Sequence, residues 1–167
     1  EEGKDKEPAF SEMPLLLIVE DNDDLRKYIV ETFKNRYKTI EAKDGEEGIS
    51  LAKEHIPDII ISDIMMPKVS GLELCDILKS DASTNHIPII LLTALNEEKD
   101  IIAGLKNRAD DYVTKPFGAK VLQYKVQNLI NVRNVLSEKY RKEILLKPHD
   151  LLINKEEDAF AVILGKV

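Results

Sequence analysis

Short aliphatic runs alternate along this chain with longer stretches whose apolar residues recur every three or four positions. The runs occupy 15–19, 37–42, 59–61, 88–92 and 109–113. Ile59, Ile60 and Ile61 are β-branched and uninterrupted by polar residues, as in a strand buried on both faces of a parallel sheet. Pro57 and Pro67 bracket that segment. Between the runs, Leu25, Tyr28, Ile29 and Phe33 keep helical spacing, with Asn22 or Asp23 as the cap. Ile49, Leu51 and Ala52 support a second helix reaching His55, after a turn at Asp44-Gly45. Leu72, Leu74 and Leu78 support a third over 69–79 with Ser70 as its cap, and Ile101, Ile102 and Leu105 a fourth over 96–106. A longer pattern starts near Ala119 and runs through Leu122, Val126, Leu129, Val132, Leu136 and Tyr140. Strand and helix alternate throughout, which predicts an α/β fold with a parallel sheet and right-handed crossovers.

The 167 residues suffice for one globular domain with appendages. The net charge of −7, from 24 basic and 31 acidic residues, argues against a nucleic-acid surface, since phosphate contacts need a basic face. Any DNA contact would then belong to an output domain outside this segment. Cys75 is the sole cysteine; this excludes a disulfide framework and a thiolate metal site and fits a reducing cytoplasm. No apolar run reaches membrane-span length and no signal peptide is visible, so no membrane contact is expected. The chain opens on Glu1 rather than Met and reads as cut from something larger or processed, with the charged residues 1–13 as a disordered linker. His55, His86 and His149 read as surface residues, and Cys75 as a small apolar side chain packed under its helix.

The candidate chemistry lies where the predicted strands end. In a parallel sheet all C-terminal strand edges face one way, and open α/β sheets bind ligands there. That edge carries Glu20 and Asp21 after the first run, Asp63 after the third, Thr93 after the fourth and Lys115 after the fifth. Singly, each has an ordinary reading: a cap, a turn, a strand hydroxyl, a solvated charge. Together they bring carboxylates, a hydroxyl and an amine to one crevice. Clustered carboxylates raise each other's pKa, a penalty that a hard cation removes; Mg²⁺ suits an oxygen-only, shallow site. Lys115 and Thr93 are then left to meet phosphoryl oxygens, which makes a carboxylate attack on phosphorus the chemistry that fits.

These residues carry a family resemblance. Glu20-Asp21, Asp63 followed by Met65-Met66-Pro67 and Gly71, Thr93-Ala94 and Lys115-Pro116-Phe117 resemble, in order and spacing, the receiver domain of two-component response regulators. The resemblance implies a flavodoxin-like, doubly wound five-stranded sheet in order 2-1-3-4-5, with helices on both faces. It implies that Asp63 accepts a phosphoryl group from the phosphohistidine of a histidine kinase. It implies Mg²⁺ held by Asp21, Asp63 and the Met65 backbone carbonyl, with Glu20 acting through a water. Lys115 would contact the phosphoryl group. Thr93 and Tyr112 would form a switch that changes the face of the fourth helix, fifth strand and fifth helix. One departure is visible: the turn before the fifth strand, often a glycine in that family, reads Asn107-Arg108-Ala109.

The implied role is a signalling phosphoacceptor that controls a transcriptional output, not an enzyme beyond slow autodephosphorylation. Met65 and Leu95, both apolar, stand where a hydrolytic water would need a polar partner. Two other classes compete. A haloacid-dehalogenase-type phosphatase would need a second carboxylate two residues past Asp63, where Met65 stands. A flavodoxin-like binding module would need a glycine- and hydroxyl-rich first loop, whereas Asp21 and its neighbours repel a phosphate. The expected division is a linker over 1–13, a receiver over 14–135, and over 136–167 a helical extension and linker tail toward a missing output domain. The tail resembles the connector to an AraC-type DNA-binding domain in hybrid sensor proteins. Its apolar stripe predicts either fold-back onto the tail or a helical seam between two copies of the chain.

Overall fold

A computed structural model of the chain describes residues 12–94 and 108–146. The predicted helix over 96–106, the position Leu95 and most of the predicted linker and tail lie outside the described residues. The strands are β1 (Leu15–Val19), β2 (Lys38–Ala42), β3 (Ile59–Asp63), β4 (Ile89–Ala94) and β5 (Asp111–Lys115). The helices are α1 (Asp23–Phe33), α2 (Gly45–His55), α3 (Gly71–Ser80) and a C-terminal helix (Ala119–Leu146). The strands form one five-stranded sheet in the order β2-β1-β3-β4-β5, and every pairing is parallel. This is the flavodoxin-like order that the sequence motifs implied.

Strand periodicity assigns the core. Leu17, Val19, Ile60 and Leu91 share one buried cluster with Ala52 of α2 and with Leu74, Cys75 and Leu78 of α3. The alternate residues Leu16, Ile18, Ile59, Ile61, Ile90 and Leu92 are as fully buried and belong to the opposite face. Ile29 and Phe33 of α1 and Leu122 and Val126 of the C-terminal helix are buried as well. On that side Gln123 Nε2 donates to the Thr32 carbonyl at 3.1 Å. Each fully buried Leu or Ile side chain is worth about 1.5–3 kcal/mol, so the aliphatic runs supply the driving force for the fold.

Local chemistry starts the helices. The side chains of Asn22, Asp44 and Ser70 each accept an N–H from three residues on, at Leu25, Glu47 and Glu73, as N-caps do. Asp23 and Asp24 complement the α1 dipole from its first turn. Every strand but β1 differs from its expected run by one or two residues, and two of the differences bear on the site. β4 extends to Ala94, which takes Thr93 inside the strand. β5 runs over 111–115 rather than 109–113, and Arg108, three residues before it, is left-handed at φ 66. The left-handed position thus falls on Arg108. β5 is an edge strand with half-buried Asp111 and Lys115 and exposed Thr114, which an apolar-run criterion passes over.

The chain divides into two compact units, Glu1–Leu129 and Ile130–Val167. In the second, Val132, Val135, Leu136, Tyr140 and Ile144 are all at least half exposed on their helix. No described helix is long and apolar enough to cross a membrane.

Candidate functional site

The crevice lies at the C-terminal rim of the sheet. β1 ends one residue before Glu20, and Glu20 stays in the sheet's frame because its N–H donates to the Ala42 carbonyl at 3.1 Å. Asp63 is the last residue of the central strand β3. Parallel pairing of β1 with β3 sets Val19 opposite Ser62, so the two acidic strand ends arrive side by side. One ligand oxygen from each of Glu20, Asp21 and Asp63 lies within 4.8 Å of the others. Glu20 and Asp63 are buried, at 1% and 5% exposure, and Asp21 is exposed. Lys115, the last residue of β5, reaches across so that its Nζ stands 3.0 Å from Asp63 Oδ1 and 3.5 Å from Glu20 Oε2. The peptide that follows it, Lys115-Pro116, is cis.

The electrostatics follow from burial and proximity. Burial pushes the Glu20 carboxyl up from 4.5 to about 7; the N–H of Asn22 draws it down and the Asp63 charge adds to the rise. Burial also raises Asp63, against the opposing pull of the Lys115 ammonium. Burial disfavours the Lys115 charge, but contact with Asp63 and then Glu20 outweighs it and holds the ammonium above its ordinary pKa. Two buried carboxylates and an exposed third, with one ammonium among them, leave excess negative charge. The donor set is oxygen-only and open on the Asp21 side, which fits a hard divalent cation that keeps several waters.

The remaining predicted residues fall into two groups. Thr93 lies on β4, one residue past the Asp63–Leu92 pair, with its hydroxyl donating to the Ala94 carbonyl at 3.3 Å. Met65 follows β3 and exposes 63% of its surface at the rim. Tyr112 is not part of the crevice. It packs against the buried cluster that holds Cys75, and among the described residues its hydroxyl has no hydrogen-bond partner. Burial, with Cys75 and Asp110 adding, pushes that hydroxyl up to about 12. Cys75 is fully buried, with its thiol pushed up to about 11 by burial, and His55 and His86 are exposed.

The motif reading did not explain two residues that shape this rim. Gly71 brings α3 so close to the end of β3 that a Cβ there would lie 2.1 Å from the Asp63 carbonyl oxygen. Its N–H also donates to the Ile64 carbonyl at 2.9 Å. Arg26 is buried at 6% exposure and donates through Nη1 to the Glu20 carbonyl at 2.8 Å. The signal for Arg26 was its spacing: it sits three residues before Ile29 and seven before Phe33, on the buried face of α1.

Comparison with known proteins shows the family of the chain. Residues 16–127 match the model of the response regulator receiver domain. A protein described as histidine kinase P4 from Formosa agariphila is 35% identical over 147 residues, which is 88% of this chain and 11% of that one. The curated relatives also include a transcriptional regulatory protein of Streptomyces coelicolor, 37% identical over 119 residues. The chain spans half or less of the length of most of these relatives. Among solved structures, the signal receiver domain of a histidine kinase from Syntrophus aciditrophicus is 34% identical with a TM-score of 0.67, covering 71% of this chain and 90% of that one. The receiver domain of sensor histidine kinase PA1611 from Pseudomonas aeruginosa, solved with a magnesium ion coordinated in its active-site cleft, gives 27% identity and a TM-score of 0.67. It covers 71% of this chain and 98% of the other. With its sheet order, its rim of acidic residues and a family match over most of its length, this chain belongs to the response regulator receiver domains of two-component signalling systems.

Proposed function

We propose that this chain relays a signal by accepting a phosphoryl group from a kinase phosphohistidine onto Asp63. The supporting observation is the buried Asp63 carboxylate with Lys115 Nζ at 3.0 Å and two further carboxyl groups within 4.8 Å. An Asp63 oxygen attacks phosphorus, the P–N bond to the kinase histidine breaks, and the imidazole leaves. Lys115 takes the charge of the incoming oxygens. Asp21, Asp63 and the Met65 carbonyl would hold Mg²⁺, with Glu20 acting through a water, and the ion would supply positive charge to offset the carboxylate cluster and the phosphoryl oxygens. Thr93 then turns toward the new charge of about −1.5 to −2, and Tyr112 responds at the β5 edge. The exposed, apolar Met65 gives a hydrolytic water no hydrogen-bond partner, so the phosphoryl group is long-lived.

The receiver unit over 14–135 works in the cytoplasm with a histidine kinase, either a separate protein or part of the same chain. The segment over 136–167 passes the switch to a transcriptional output domain, through which any DNA contact is made. The exposed stripe of the C-terminal helix, from Val132 to Tyr140, pairs with that of a second copy. The core claim is tested with a small phosphodonor and Mg²⁺. Intact-mass analysis should show one added phosphate on the parent and none on Asp63→Asn, because an amide is not a nucleophile. Equal phosphate on both would refute the assignment, and loss from the parent within seconds would refute the long lifetime.

A further inference from the structure

Arginine is rarely buried without partners for its donors, and Arg26 takes a separate partner for each guanidinium nitrogen. Nη1 donates to the Glu20 main-chain carbonyl at 2.8 Å, Nε to Glu41 Oε1 at 3.1 Å, and Nη2 to Asp23 Oδ1. Glu41 lies on β2, Asp23 opens α1, and Glu20 follows β1, so one planar group ties three elements together. The contact with Glu20 is the informative one. That residue is held at both ends of its main chain: its N–H by the Ala42 carbonyl and its C=O by Arg26. The same carbonyl belongs to the peptide plane that leads into Asp21, and a planar peptide passes its orientation to the next nitrogen. Asp21 is the exposed member of the carboxylate cluster, so its approach depends on where its backbone is set.

We propose that Arg26 is a positioning residue for divalent-cation binding, fixing the Glu20–Asp21 peptide so that both carboxyl groups meet at the Asp63 edge. Arg26 acts through the main chain and does not touch the cation. The inference rests on the cation site proposed above. Groups that orient ligands from behind typically govern about 10- to 100-fold of metal affinity.

The test is titration of Mg²⁺ into the full chain by calorimetry, with the Asp21 amide followed by NMR, for the parent, Arg26→Met, Arg26→Lys and Glu41→Gln. Arg26→Met should bind Mg²⁺ at least about tenfold more weakly and shift the Asp21 amide before any metal is added. Arg26→Lys keeps a cation but not the fork, and should recover only part of the affinity. Glu41→Gln, which leaves the Glu20 contact in place, should bind close to the parent. At saturating Mg²⁺ the phosphorylation rate of Arg26→Met should return toward the parent's, a split that general loosening of the fold would not produce. If Arg26→Met does not fold, Arg26→Lys decides by the same criterion. A parent that binds while the folded Arg26 variants bind equally tightly overturns this inference alone, even if their melting temperatures fall. A parent that binds no Mg²⁺ overturns the site reading and this inference with it.

Discussion

Glu20→Gln should make the metal-free protein more stable at neutral and alkaline pH. Glu20 is 1% exposed and is displaced from 4.5 to about 7, first by burial. A carboxyl whose folded pKa lies above its unfolded value binds more protons in the folded state between those values. Its contribution is therefore most favourable below the unfolded value and is lost as pH rises through about 7. The rise from 4.5 to about 7, at about 1.4 kcal/mol per pH unit, sets an upper limit of roughly 3 to 4 kcal/mol. Asp63 is raised for the same first reason and acts in the same direction. Asp23 and Asp81 are lowered, and their effects fall at more acidic pH. Glutamine removes the charge but keeps an oxygen for the Asn22 N–H, now 3.1 Å from Glu20 Oε1, and leaves Lys115 its closer partner at 3.0 Å. Urea melts in a chelator from pH 5 to 8 should show the parent losing stability across the range and Glu20→Gln losing much less. In thermal melts at pH 8 the variant should unfold at a higher temperature, by up to about 10 °C. Saturating Mg²⁺ should stabilise the parent more than the variant. A parent that gains stability from pH 5 to 8, or a variant less stable than the parent at pH 8, would sink the reasoning.

Other predictions concern geometry. Gly71→Ala places a Cβ 2.1 Å from the Asp63 carbonyl and 2.9 Å from Ile64 Cα; it should cost about 1–3 kcal/mol in urea melts and slow phosphorylation, and a neutral result would show that α3 yields there. Ile56 closes α2 at φ 45 while 39% exposed; Ile56→Asn should stabilise by about 1 kcal/mol, since asparagine tolerates this region, and a lower thermal midpoint would refute that. Light scattering at high micromolar concentration should find the full chain heavier than a monomer and a truncation after Asn128 monomeric; two monomers would favour fold-back of the stripe.

Much of the fold was legible because its central strands are uniform. Ile59 to Ile61 and Leu16 to Val19 are buried on both faces, and such strands advertise themselves as unbroken aliphatic runs. The edge strand β5 was misplaced by two residues because Asp111, Thr114 and Lys115 are polar and only Val113 is buried. That Glu20, Asp21, Asp63 and Lys115 would be neighbours was legible because parallel topology sends strand ends to one rim. The roles of Arg26 and Gly71 were not, since both act through main-chain carbonyls, at Glu20 and Asp63, that leave no trace in side-chain chemistry. Tyr112 shows a different limit: strand position gave its place, but not that its ring would pack toward Cys75.

A sheet whose strands all run parallel sorts its connections onto two opposite rims. The rim described here holds every carboxylate of the site. The other holds the connections 34–37, 56–58, 81–88 and 108–110, which settle their own accounts: Asp81 accepts from Ser83, Thr84 donates to the Leu78 carbonyl, and Lys79 pairs with Asp110 at 2.8 Å. Two of these connections also hold strand starts, through Asp58 to the Leu15 N–H and Asp110 to the Ile89 N–H, far from Asp21, Asp63 and Lys115 at the other strand ends. The architecture therefore divides its labour, with the strand C-terminal ends presenting the carboxylates and the opposite rim anchoring the strand starts.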